Sequence, residues 1–127
     1  MIDLEKYNIQ THEIIGCAMR VHSALGNGFQ EVIYQRALEI EFKELKLNYE
    51  RELEKNLYYK EKYIGTRRVD FLVNNEILIE LKAITKVEDV HYAQIINYLE
   101  AYKLPIGLLI NFGTKKLEFK RFVKTIK

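Results

Sequence analysis

Between Val69 and Lys82 the chain alternates with a period of two. Val69, Phe71, Val73, Ile77, Ile79 and Leu81 hold the odd positions, and Asp70, Glu80 and Lys82 fall on even ones. Short apolar alternations broken by Asn74-Asn75-Glu76 imply two half-buried strands joined by a tight turn. A two-residue loop at Asn74-Asn75 would set Asp70 opposite Ile79 and mix the faces, because a one-residue slip moves a strand's whole apolar set to the other side. A three-residue loop, Asn74 to Glu76, sets Asp70 opposite Glu80 and keeps the six apolar side chains together. Patterning alone thus brings two carboxylates side by side, with Lys82 two residues past Glu80 on the same face.

Two adjacent carboxylates repel, and without a cation one of them tends to keep its proton, so the pair favours a hard divalent ion such as Mg²⁺ or Mn²⁺. The backbone carbonyl of Leu81 offers a further oxygen ligand. In phosphodiester hydrolysis such an ion polarises the phosphoryl oxygens and lowers the pKa of a bound water, while a nearby lysine orients that water or stabilises developing charge. The spacing also fits a surface ion-pair cluster in which Lys82 neutralises two carboxylates at a sheet edge, since a D…ExK pattern arises often by chance.

The rest of the chain supplies an α/β frame. Ile14, Cys17, Ala18, Val21 and Leu25 recur at helical spacing and predict a helix from Thr11 to Leu25, stopped by Gly26-Asn27-Gly28. Ile33, Leu38, Phe42 and Leu45 mark a second helix over 30–45, and a third fits Glu88 to Tyr102, ending before Pro105. Leu57-Tyr58-Tyr59 and Tyr63-Ile64 flank a charged turn and open a meander. Ile106 to Ile110 is an unbroken apolar run suited to a strand buried on both faces, and Lys116 to Phe122 reads as an edge strand. A single domain over 1–127 is expected, because this length sits near the commonest size for one core.

Gly28-Phe29-Gln30-Glu31-Val32-Ile33-Tyr34 carries the Gly, Glu and Tyr spacing that names the GxxExxY family, assigned to the PD-(D/E)xK nuclease superfamily. The chain resembles that family elsewhere too: at Val21-His22, Leu25 to Gly28, Val69-Asp70, Glu80-Leu81-Lys82, Gln94, Tyr98-Leu99 and Gly107 to Phe112. Asn27 stands where a proline is expected between two glycines, a change that touches loop stiffness and no ligand. The resemblance implies a restriction-endonuclease-like α/β core, a mixed β-sheet flanked by α-helices. It implies Asp70 and Glu80 as metal ligands, Lys82 as the catalytic lysine, Glu31 as a helix-borne acid and further ligand, and Gln94 as a helical polar partner.

Glu31 shares a helical face with Tyr34 and Leu38, so burial by apolar neighbours is expected; a helix-start acid serving the dipole is the plainer reading. Gln94 lies on a stripe with His91 and Tyr98, suited to a substrate phosphate or merely to a helix border. His22 reads as a core-border histidine, and His12 and His91 lack the company a zinc site needs. Tyr58, Tyr59 and Tyr63 offer faces for stacking bases, though tyrosines in a strand pair are more often packing and cross-strand contacts.

A net charge of +2 is too small to argue for nucleic acid by itself, but from Lys115 to Lys127 six basic residues face Glu118 alone. That edge suits phosphates, or a solvated strand kept from aggregating by its lysines. Cys17 is the single cysteine, no apolar run nears the roughly 20 residues that span a bilayer, and the N-terminus lacks a signal-peptide pattern, so a cytoplasmic setting away from membranes is expected. The leading function is a Mg²⁺- or Mn²⁺-dependent nuclease on DNA or RNA, with a homodimer or added domain needed to grip a duplex. The competing readings are a non-catalytic nucleic-acid- or protein-binding module and a subunit of a larger assembly.

Overall fold

Three helices and five strands make up the chain in the computed structural model, which describes residues 4–124. They run α1 (Leu4–Leu25), α2 (Glu31–Glu44), β1 (Tyr49–Tyr59), β2 (Lys62–Val73), β3 (Ile77–Lys82), α3 (Asp89–Tyr102), β4 (Ile106–Asn111) and β5 (Glu118–Val123). The sheet order follows the chain, β1 to β5, with β3 and β4 parallel and every other neighbouring pair antiparallel. Helix α3 is the crossover between the two parallel strands, so the architecture is a mixed sheet flanked by helices, as expected. Among the described residues no helix is long and apolar enough to cross a membrane.

The strand register is the one the alternation requires. Val73 pairs with Ile77, Leu72 with Leu78 and Phe71 with Ile79, which leaves a three-residue turn and sets Asp70 next in line across from Glu80. Asn74 and Asn75 take left-handed φ values of 53° and 58°, a conformation Asn tolerates better than most residues.

Alternation fails at one place. Phe71, Val73, Ile77, Ile79 and Leu81 pack together with α1 and α2, but Val69 joins Leu72, Leu78, Ile95 and Leu99 in the second core layer, beneath α3. The expectation that all six odd residues share a face is therefore wrong by one. The β1–β2 ladder skips Glu52 and Asp70, and Glu52 sits at a left-handed φ of 53°, which reverses the side-chain alternation across that point. Tyr49, opposite Val73, packs in the first layer, and Leu53, opposite Val69, packs in the second.

Helix α1 begins seven residues before its expected start at Thr11. Its first turns extend the buried face only through Tyr7, which packs in the first core layer and whose hydroxyl bonds Glu76 in the β2–β3 turn, where Lys6 also pairs at 2.8 Å. Helix α3 ends in a left-handed Lys103, and its start carries a capping box in which the His91 ring accepts the Glu88 N–H. The edge strand β5 runs from Glu118 to Val123, two residues later at its start and one at its end than the pattern suggested.

Candidate metal centre

The central strands part where the carboxylates lie. The β2–β3 backbone ladder stops at Phe71 and Ile79, and beyond it β2 continues alongside β1 alone. Asp70 fills the gap: its Oδ2 accepts the Leu81 N–H at 2.8 Å, a backbone donor left over by the parting strands. Its other oxygen accepts from Gln35 Nε2 at 2.9 Å. Gln35 is buried on α2, and its own carbonyl accepts from Arg51 Nη1 at 3.2 Å. Arg51 pairs with Glu39 at 3.4 Å, and Glu39 accepts the Tyr49 hydroxyl at 2.9 Å. Asp70 is thereby held from α2, β1 and β3 together.

Glu80 stands on the side of the sheet that α3 covers. Its Oε1 is buried and, among the described residues, has no hydrogen-bond partner. Burial, then the charge of Asp70, pushes its carboxyl up to about 8, while Lys82 and a hydrogen bond from the Asp70 backbone pull the other way. Burial likewise raises Asp70, against the Leu81 and Gln35 hydrogen bonds and the Lys82 charge. Glu80, so shifted, holds its proton near neutral pH until a cation replaces it.

Glu31 opens α2 and is exposed, contrary to the expectation that apolar neighbours enclose it. Its side of the helix faces the parted strands: protein crowding raises its carboxyl first, the Asp70 charge raises it further, and Lys82 lowers it. The buried member of that signature is Tyr34. Its hydroxyl donates to the Gly26 carbonyl at 2.6 Å and accepts the Phe29 N–H at 3.1 Å, and its ring stacks on Phe112 at 4.5 Å. Tyr34 thus pins the glycine corner that sets where α2 begins and where Glu31 stands.

Lys82 is half-buried at the end of β3, opposite Asn111 in β4. Asn111 is buried and fully used: its Oδ1 accepts from the Ile84 and Gly113 backbones, and its Nδ2 donates to the Ile84 carbonyl and to Glu118 Oε1, each at 3.0 Å. The two strand exits cross so closely that a Cβ on Gly113 would lie 2.3 Å from the Ile84 nitrogen. Both features fix the segment that carries Lys82.

Gln94 is half-buried on α3, and among the described residues no hydrogen bond joins it to Asp70, Glu80 or Lys82. Tyr98, one turn further along α3, lies within the field of both Glu80 and Asp70, under the guanidinium of Arg67 at 5.7 Å. Gln35 is the residue that pattern reading missed, and pattern reading puts Tyr98 on the stripe with Gln94 without giving it a role. Gln35 had a signal, since it sits one helical turn after Glu31. His22 bonds the Thr114 carbonyl through Nε2 at 2.9 Å and lies beside Phe112, a structural post as expected.

A mixed sheet whose parted central strands carry Asp70, Glu80 and Lys82 is an α/β core of the restriction-endonuclease type. The chain belongs to the PD-(D/E)XK nuclease superfamily, whose family model matches residues 8–122. A solved structure titled as that of SSO0001 is similar with a TM-score of 0.56 at 23% identity, over 76% of this chain and 52% of its own. At that identity the likeness carries the fold, and this chain spans about half the length of that protein. No curated protein matches the chain.

Asp70 and Glu80 offer oxygen donors only, and among the described residues no three His, Cys, Asp or Glu side chains gather into a cluster. Mg²⁺ keeps several waters and takes one or two carboxylates plus substrate phosphates, which matches one held carboxylate beside one with a free, buried oxygen.

Proposed function

We propose that the chain is a divalent-metal-dependent nuclease of the GxxExxY type, hydrolysing phosphodiester bonds of DNA or RNA. The observation that carries this reading is the buried, unpartnered Glu80 Oε1 beside Asp70 and Lys82, since such an acid is expensive to keep without a ligand. Asp70 and Glu80 would hold Mg²⁺ or Mn²⁺, with the Leu81 carbonyl as a further oxygen donor and Glu31 reaching the ion through a water. When bound, the ion supplies Lewis acidity toward a phosphoryl oxygen and toward water.

The chain's own residues do the rest. Gln35 and the Leu81 N–H orient Asp70 so that its carboxylate needs no reorganisation on binding. Lys82 places a compact positive charge where negative charge grows on the phosphoryl oxygens. Glu31, exposed at the rim with its pKa raised, is the proton carrier between site and solvent. Gln94 serves as a polar contact for the substrate phosphate. A second copy of the chain would widen the grip on a duplex, and the buried, unpaired Cys17 suits a reducing, cytoplasmic setting.

One observation favours a second reading. The absence of a three-ligand cluster among the described residues would also suit a non-catalytic nucleic-acid- or protein-binding module that keeps the nuclease fold. The test is cleavage of labelled single- and double-stranded DNA and RNA by the purified chain with Mg²⁺ or Mn²⁺, beside Lys82→Ala. Cleavage by the wild type that is lost in Lys82→Ala supports the nuclease. A wild type that takes up metal and cleaves no substrate at any concentration makes the binding module the better account.

A further inference from the structure

Strands β1 and β2 are 11 and 12 residues long, whereas β3, β4 and β5 have six each. The inner part of this hairpin belongs to the sheet. Beyond Leu53 and Val69 it projects as a two-stranded ribbon, closed by a turn at Lys60 and Glu61, both in left-handed conformations. Such a ribbon is marginally stable in water and is an odd place to expose large apolar side chains. Yet Tyr58, Tyr59, Tyr63 and Ile64 are 61%, 63%, 59% and 64% exposed.

The ribbon is also cationic. Between Lys55 and Arg68 stand Lys55, Lys60, Lys62, Arg67 and Arg68 against Glu61 alone. Arg68 is tied to Glu54, but the other four take no carboxylate partner among the described residues. On the basic C-terminal edge two of the cations are tied to polar partners, Arg121 to Asn8 and Lys124 to Glu100 at 3.2 Å.

Aromatic rings and cations continue from the ribbon to the carboxylates. Tyr58 and Tyr63 pair across the strands with ring centroids 6.2 Å apart, and Lys60 lies 5.5 Å from the Tyr59 ring. Further in, Lys55 and Arg67 are cross-strand partners that lean over Tyr102 and Tyr98 of α3 at 5.3 and 5.7 Å. Those two tyrosines stack on each other and lie within the field of Glu80.

We propose that the ribbon from Leu53 to Arg68 is a grip for single-stranded nucleic acid, stacking bases on Tyr58, Tyr59 and Tyr63 and leading the strand past Lys55 and Arg67 to Glu80. This rests on the nuclease reading for what happens at the end of the track. Exposed rings favour a single strand because its bases offer free π-faces, whereas a duplex has its own stacked away. The cations favour a polyanion over a protein partner, since phosphates along a strand match four unpaired positive charges.

The test is fluorescence anisotropy of a labelled single-stranded oligonucleotide, and of the matching duplex, with EDTA present so that cleavage does not intervene. The wild type is compared with Tyr58→Ala/Tyr59→Ala/Tyr63→Ala and with Lys60→Glu/Lys62→Glu. Each stacked base lost should weaken single-strand binding by about fivefold to a hundredfold. The charge variant should bind more weakly and show a shallower salt dependence. Melting temperatures close to wild type confirm that both variants fold, as substitutions at exposed ribbon positions should allow.

Single-strand binding that survives in the tyrosine variant overturns the grip, as does tighter binding of the duplex than of the single strand. A wild type that sediments as a dimer, with the variants monomeric, overturns it in favour of an interface between copies. Binding that follows this pattern without cleavage on adding Mg²⁺ supports the grip and refutes the nuclease reading alone.

Discussion

The two carboxylates at the parted strands are built in opposite ways. Asp70 has both oxygens occupied, by Gln35 and by the Leu81 N–H, and is braced through Arg51, Glu39 and Tyr49. Glu80, on the side toward α3, is more strongly shifted and has a buried oxygen with no partner among the described residues. A braced group keeps one geometry whatever binds. An unsatisfied one has a free energy that depends on what arrives, whether proton or metal ion. On the proposed reading, one carboxylate would fix the position of an ion and the other would make its arrival favourable.

The largest effect that sharpens this comparison is on turnover. Lys82→Ala should lower cleavage by about 10²- to 10⁴-fold while leaving metal-induced stabilisation in place, because the lysine acts on developing charge and holds no metal. Asp70→Asn and Glu80→Gln should lose both. Lys82→Arg should rescue only part, since a planar guanidinium cannot put a compact charge at the same point. Single-turnover cleavage beside thermal melts with and without Mn²⁺ separates these outcomes.

Next in size is the frame beneath the lysine. Gly113→Ala would press a methyl group into the Ile84 backbone, so the strand exits must shift, at a cost of about 3 kcal/mol in chemical denaturation. Gln35→Leu should cost about 1–3 kcal/mol, because it leaves Asp70 Oδ1 without a donor and takes one acceptor from Arg51, which keeps only Glu39. Gln35→Glu would add a charge beside Asp70 and should weaken the metal-free fold while tightening Mn²⁺ binding. Tyr34→Phe should be mildest, about 1–2 kcal/mol, since the ring stays on Phe112 and only the two hydroxyl bonds to the glycine corner go.

Much of this arrangement was legible in the sequence, for identifiable reasons. The turn Asn74 to Glu76 and the apolar alternation around it set one register, and the pairing of Phe71 with Ile79 is that register. The helices over 31–44 and 89–102 also showed in their apolar stripes and end signals. What stayed hidden depends on distant contacts. The first turns of α1 hold through Tyr7 and Glu76, 69 positions apart. Val69 changes layers where the β1–β2 ladder is interrupted at Glu52 and Asp70, an irregularity with no signal in its own strand. Gln35 looks like any polar helix residue until Asp70 is placed beside it. Glu31 shares a helical face with Tyr34, yet it stands at the first position of α2, facing the parted strands, and is exposed there.

The central claim is that Glu80 is kept in an unsatisfied state that a divalent ion relieves. Thermal or chemical unfolding of the wild type and Glu80→Gln across pH, without metal and with Mn²⁺, tests it most directly. The folded-state pKa of about 8 lies above the ordinary glutamate value of 4.5, so between these limits the native chain holds a proton that the unfolded chain has released. Native stability must therefore fall as pH rises through that window, by on the order of 5 kcal/mol in all. Glu80→Gln should flatten this slope and be the more stable protein above pH 8 without metal. Mn²⁺ should raise the melting temperature of the wild type, increasingly so as pH rises, and raise that of Glu80→Gln far less. Parallel pH profiles for the two proteins, with the same response to Mn²⁺, would contradict the account.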